Sequence, residues 1–194
     1  MRELHITTAR EFENFRQGVY GWGTSLSDQL YVYLDNDIDM NDLGSDNNLM
    51  QSPLTNYASD QKSKYYHFDG QNHTIFNIYS YQKGTLFNLL NQFITVRNLT
   101  LKDVFCNNKK VVLFDSYPPY SSYLAETTTI DNVKVYGFLF GDEGCFVFGA
   151  TCIGEVVNAN ASLSYTNNFF GGGSRRSLMQ IHQCFISNNY VVHP

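Results

Sequence analysis

Thr74-Ile75-Phe76-Asn77-Ile78, Thr95-Val96-Arg97-Asn98-Leu99, Thr129-Ile130-Asp131-Asn132-Val133, Cys152-Ile153-Gly154-Glu155-Val156 and Gln180-Ile181-His182-Gln183-Cys184 share one form. In each, an apolar residue and a second small or apolar one flank two mostly polar positions. With Asn77, Asn98, Asn132, Glu155 and Gln183 as markers, the spacings are 21, 34, 23 and 28 residues. One short strand pattern in every ~20 to 35 residues is the signature of stacked repeats. Further strand signals lie between the markers, in Gly84-Thr85-Leu86-Phe87, Val111-Val112-Leu113-Phe114 and Cys145-Phe146-Val147-Phe148. Two or three short strands per repeat, joined by Asn, Gly and Ser corners, predict coils whose inward residues stack in a column. Asn77, Asn98 and Asn132 are then expected at equivalent places in successive coils. An antiparallel sandwich would need hairpin turns at the short gaps, and Asp69-Gly70 is the exception in a chain poor in such pairs. The sequence therefore predicts an all-β fold, a single right-handed parallel β-helix (solenoid) with an N-terminal capping α-helix.

The helix is read near the start. Thr8-Ala9-Arg10-Glu11 has the Ser/Thr-x-x-Glu form in which hydroxyl and carboxylate satisfy each other's exposed backbone donors. Phe12, Phe15 and Val19 follow at helical spacing, and Gly18 is placed to end the helix after about Gln17. One domain over residues 1–194 is expected, with a cap at about 4–20, an irregular Asn-, Asp- and Ser-rich excursion with Pro53 at 41–63, and repeated coils over 64–194.

Composition supports strands over helices. Charged residues make up 16% of the 194, below the roughly 25% of ordinary soluble domains. Tyr (14) and Phe (15) are abundant, and these residues favour pleated surfaces. A net charge of −5, with only Lys109-Lys110 and Arg175-Arg176 as basic pairs, argues against a nucleic-acid partner. No apolar run is long enough to predict a membrane span. Met1-Arg2-Glu3-Leu4-His5 has no apolar core of a signal peptide, so a virion or host cytoplasm is favoured over classical secretion. Cys106, Cys145, Cys152 and Cys184 stand 39, 7 and 32 residues apart. No Cys-x-x-Cys pair is present, so they are read as small core residues, and no zinc site or cofactor is expected.

Three stretches resemble the GLUG-motif repeat proteins of bacterial surfaces. Ile6-Thr7-Thr8-Ala9-Arg10-Glu11-Phe12-Glu13-Asn14-Phe15 is similar to that family's cap, and Tyr31-Val32-Tyr33-Leu34-Asp35-Asn36-Asp37-Ile38-Asp39-Met40 to its strand. Phe68-Asp69-Gly70-Gln71-Asn72-His73-Thr74-Ile75 is similar to its turn, and Gly84-Thr85-Leu86-Phe87 echoes the apolar run that follows. Together they cover residues 4–105, in the family's order. In the second half, Phe138-Leu139-Phe140-Gly141 and Phe146-Val147-Phe148-Gly149 replace its crisp Gly-Leu-x-Gly repeats. The resemblance implies a right-handed β-helix with a cap, used for adhesion or as a spacer.

Candidate chemistry is sparse. The histidines at 5, 67, 73, 182 and 193 include no His-Glu pair of a zinc peptidase helix. Asp35 to Asp46 places oxygens at alternate positions like a calcium loop, but Met40 stands where the turn glycine belongs and Asp46 where the bidentate glutamate belongs. Its carboxylates are read as caps of the following turn. Asp103, Asp115, Asp131 and Glu155 lie on or beside the repeated strands, where a sugar-cleaving enzyme would set two facing carboxylates. The marker row is mixed and mainly uncharged, which favours an amide ladder, so no catalytic residue is assigned.

Two insertions are the expected contact surfaces: Tyr117, Tyr120 and Tyr123 around Pro118-Pro119, and Phe169, Phe170, Arg175 and Arg176 around a triple glycine. The sequence thus predicts a non-catalytic structural or binding module, adhesin-like or virion-type, contacting a glycan or protein through its tyrosine-rich loops. The alternatives are an intracellular inhibitor of a host defence factor and a carbohydrate-active enzyme. No second amphipathic helix covers the far end, so Phe185, Tyr190 and Val192 are expected near a contact with another copy or a protein partner.

Overall fold

The computed structural model describes residues 2–46, 65–80, 84–88, 94–107, 111–115, 128–140, 145–148, 154–157, 160–163, 180–182 and 185–188. In chain order they form β1 (Arg2–Ile6), α1 (Ala9–Arg16), β2 (Leu30–Leu34), β3 (Ile38–Asp39), a 3-10 segment (Met40–Asp46), β4 (Tyr66–Asp69), β5 (Thr74–Ser80), β6 (Gly84–Asn88) and β7 (Ile94–Asn107). There follow β8 (Val111–Asp115), β9 (Thr128–Phe140), β10 (Cys145–Phe148), β11 (Gly154–Val157), β12 (Asn160–Leu163), β13 (Gln180–His182) and β14 (Phe185–Asn188).

The main sheet follows the order β1-β2-β4-β7-β9-β11-β13. Every pairing along it is parallel. Residues directly opposite one another lie far apart in sequence: 36 between Leu30 and Tyr66, 28 between Tyr66 and Ile94, 34 between Thr95 and Thr129. The second halves of β7 and β9 carry a branch, β3-β5-β7 on one side and β9-β12-β14 on the other. A separate parallel sheet has the order β10-β8-β6.

This architecture corrects the expected all-β, right-handed parallel β-helix. The seven-strand path is not closed, with β1 and β13 as its two ends. The helix and 3-10 segment beside it add α/β character. Any parallel pair needs a long connection between its strands, so a strand pattern recurring every ~30 residues reports parallel pairing without reporting closure. The repeat reading carried that ambiguity.

The register explains the apolar pattern. Side chains alternate between faces along a strand, so in-register strands build columns across the sheet. Val32, Phe68, Val96 and Ile130 form one inward column, and Leu30, Tyr66 and Ile94 a second; all are buried. On the branch, Ile38, Ile75, Leu101 and Val135 do the same.

The strands β7 and β9 run for 14 and 13 residues and contain non-glycine residues with left-handed backbone: Asn98 (φ 52°), Asp103 (φ 51°) and Asn132 (φ 50°). Asn and Asp tolerate that conformation best among side-chain-bearing residues. Asn98 and Asn132 are neighbours, with Asn132 Nδ2 donating to Asn98 Oδ1 at 3.0 Å. Asn77 does not join them. The pairs Phe76–Lys102 and Ile78–Val104 set it opposite Asp103, while Gly70 occupies the place before Asn98. The expected three-Asn column is thus two columns. Between Leu101 and Val104 the β7–β9 register shifts, a bulge in which Lys102 and Asp103 face Tyr136 alone. A side chain on Gly137, opposite Val104, would collide with the Val104 backbone.

The helix α1 forms where its capping signals lie. Glu11 N–H donates to Thr8 Oγ1 at 3.2 Å, and Thr8 N–H to Glu11 Oε2 at 3.1 Å. At its end, Val19 N–H reaches Asn14 O and Gly18 N–H reaches Phe15 O, with Gly18 at φ 73°, a Schellman stop. That stop turns Val19 out to 66% exposure, so Val19 is not part of the apolar stripe. Ala9, Phe12 and Phe15 are. Phe12 meets Phe68 and Phe87 edge-on, with ring centroids 6.0 and 5.9 Å away. Arg16 ties the helix to β6: its Nε donates to Leu86 O at 3.0 Å and its Nη1 to Glu13 Oε2 at 2.6 Å.

Candidate functional site: the outward rows of the parallel sheet

The residues between the inward columns point away from the core and form two outward rows. One runs Glu3, Tyr31, His67, Thr95, Thr129; the other runs His5, Tyr33, Asp69, Arg97, Asp131. None of these ten is buried. Strand pairing alone brings them together, since each step crosses 28 to 36 residues of sequence.

Each row carries a ring pair. Tyr31 stacks on His67 with centroids 4.8 Å apart, and His5 stacks on Tyr33 at 5.2 Å. Gln29 holds the first pair from the side: its Oε1 accepts from Tyr31 OH and from His67 Nε2, both at 3.0 Å. A carboxamide oxygen only accepts, so Nε2 carries the proton. Partial burial, and then the positive charge of Arg97, lower the pKa of His67 below the ordinary histidine value.

Polar bonds continue the rows into a ladder. His5 Nδ1 lies 2.7 Å from Asp35 Oδ2, and Gln71 Nε2 donates to Asp35 Oδ1 at 2.8 Å. Gln71 N–H donates to Asp69 Oδ1 at 2.9 Å, as does Asn98 Nδ2 at 3.1 Å. Arg97 closes on the other oxygen of Asp69, with Nε and Nη2 both at 2.8 Å. Burial alone would raise the pKa of Asp69, but the bonds from Gln71 and Asn98 and the Arg97 guanidinium outweigh it and hold the carboxyl below its usual value. Asn132 extends the ladder from Asn98 to β9.

The acidic stretch after β2 has local work. Asp37 Oδ1 accepts from Thr74 N–H at 2.8 Å and lies 3.2 Å from His73 Nδ1. Asp39 Oδ1 accepts from Asn41 N–H at 2.9 Å and Asn77 Nδ2 at 2.8 Å. These carboxylates tie successive strands and turns together. Among the described residues no group of His, Cys, Asp and Glu is placed to hold a metal ion.

The four acids considered for sugar cleavage do not share a row. Asp131 is in the Arg97 row, Glu155 is opposite Thr129, Asp103 is at the bulge and Asp115 lies in the smaller sheet. Tyr117, Tyr120, Tyr123, Phe169, Phe170, Arg175, Arg176, Tyr190 and Val192 lie outside the described residues, and Phe185 opens β14 opposite Asn160. The outward rows were missed as a site. Their sequence signal is the recurring pair of polar or ring-bearing residues two apart, Tyr31/Tyr33, His67/Asp69, Thr95/Arg97 and Thr129/Asp131.

Chemically, the surface offers fixed hydrogen-bonding groups. The stacked His and Tyr rings lie in the same rows as the ladder of carboxylates, amides and one guanidinium. Compared with family models, with curated proteins and with solved structures, the chain matches none of them.

Proposed function

We propose that this protein is a non-catalytic binding module, adhesin-like or virion-type, that lays an extended neutral glycan along the outward rows of its main sheet. The observation that carries this reading is the pair of in-register His–Tyr stacks flanked by the Asp35–Gln71–Asp69–Asn98 ladder. Neighbouring strands repeat every ~4.8 Å, close to the length of one sugar ring, so successive sugars meet successive rungs. Rigid groups lose little entropy on binding, which favours a ligand rich in hydroxyls over one that must order the surface. The net charge of −5 and the carboxylates at 3, 35, 69 and 131 favour neutral over anionic sugars.

A glycan array followed by calorimetric titration tests this. Wild-type protein is expected to bind neutral oligosaccharides of several units, with His67→Ala and Tyr33→Ala each weakening the best ligand about tenfold or more, a loss of ~1.4 kcal/mol. Absence of any bound glycan, or variants that bind like wild type, would overturn the assignment.

A further inference from the structure

Three Asn-x-Ser/Thr sequences occur in the chain: Asn72-His73-Thr74, Asn98-Leu99-Thr100 and Asn160-Ala161-Ser162. None has proline at the middle position, so each satisfies the sequence requirement for N-linked glycosylation. The fold treats them differently. We propose that Asn72 is an N-glycosylation acceptor and that the folded sheet withholds Asn98 and Asn160.

Asn72 sits in the turn between β4 and β5, where four residues, 70–73, lie opposite only Asn98 and Leu99 of β7. The turn therefore projects beyond the strand ladder. Asn72 is exposed and left-handed at φ 66°. Its backbone N–H is anchored to Asn98 O at 2.8 Å, while its side-chain amide makes no hydrogen bond within the described residues. The amide nitrogen is thus free to react without the loss of any bond seen here.

Asn98 is held on both sides of its amide, donating to Asp69 and accepting from Asn132. A sugar on its Nδ2 would take one of the two amide hydrogens and crowd the 3.1 Å contact with Asp69. Asn160 starts β12, which pairs on one side with β9 and on the other with β14. Both edges of its backbone are committed to the sheet.

The transfer has a definite balance. Asn72 Nδ2 forms a bond to the anomeric carbon of a lipid-linked oligosaccharide, and the bond from that carbon to the pyrophosphate oxygen breaks. The lipid pyrophosphate leaves with the electron pair, and the amide proton passes to a base of the transferase. Thr74, two residues on, supplies the hydroxyl that completes the recognition sequence. A bulky, hydrated glycan at this tip would point into solvent beside the sheet.

The test uses the folded full-length chain with a solubilised oligosaccharyltransferase and its lipid-linked donor. Sites are read by releasing the glycans enzymatically in heavy-oxygen water, which marks each former acceptor as labelled Asp in a peptide map. The expected result is one glycan per chain at Asn72. It should disappear in Asn72→Gln, whose circular dichroism should match wild type and whose melting temperature should fall slightly, because Gln tolerates the left-handed backbone at this position less well than Asn. Transfer to Asn98 or Asn160 in preference to Asn72, or no transfer to the folded chain, would overturn the proposal.

Discussion

Asn98 carries two duties that a substitution can separate. Its backbone is left-handed at φ 52°, and its amide joins Asp69 on one side to Asn132 on the other. Gly accepts the backbone at no steric cost but brings no amide, whereas Ala keeps neither advantage. Two bonds, one of them to a carboxylate, are together worth about 2 to 4 kcal/mol. Asn98→Gly should therefore lose most of that amount, and Asn98→Ala about 1 kcal/mol more from backbone strain. Urea unfolding of the three proteins measures both terms. Equal stabilities for Gly and Ala would show that the backbone angle costs nothing, and a Gly variant as stable as wild type would show that the ladder is ornamental.

At the scale of elements, the helix gives the sharpest contrast between what can and cannot be read from sequence. Thr8 and Glu11 are three residues apart, so the capping box depends on local chain geometry and was legible; so were Phe12 and Phe15 as its buried stripe. Val19 was misplaced because the left-handed turn at Gly18 breaks the helical period one residue earlier. Parallel pairing was legible as a repeat. The open path and the two separate columns of Asn98 and Asn77 were not, because they follow from register set across gaps of tens of residues. The outward rows depend on the same register, and so their Tyr, His, Asp and Arg residues look scattered along the chain. For the helix itself, Thr8→Ala should cost about 1 kcal/mol. Phe12→Ala should cost about 3 to 5 kcal/mol, since Phe12 is fully buried against Phe68 and Phe87. Denaturant titrations in which both variants cost the same would mean that α1 holds its place by its cap and not by its rings.

At the scale of the whole molecule, the outward rows and the helix cap should make stability fall in two stages as the solution is acidified. His67 has a folded pKa below the ordinary value of 6.5, through burial first and the Arg97 charge second. The unfolded chain therefore takes up this proton before the folded one does. The stability contribution is fully present above pH 6.5 and declines as pH falls from there toward the lower folded value. Asp69 and Glu11 also have lowered folded values, against ordinary ones of 3.8 and 4.5. For Glu11 the leading cause is the Thr7 backbone N–H, at 2.8 Å from its Oε2. Their contributions stand above those ordinary values and are lost as pH falls through the folded ones beneath them. The first stage belongs to His67 and the second to the carboxylates, so the stages can be assigned by substitution. Urea unfolding free energies measured between about pH 3 and 8 should decline below pH 6.5 in wild type and flatten there in His67→Gln, whatever the variant loses in absolute stability. Asp69→Asn should keep the first decline and weaken the second. A His67→Gln profile parallel to wild type through the first stage would remove His67 as its cause, and with it the view that the Tyr31–His67 stack is held in place by a neutral imidazole.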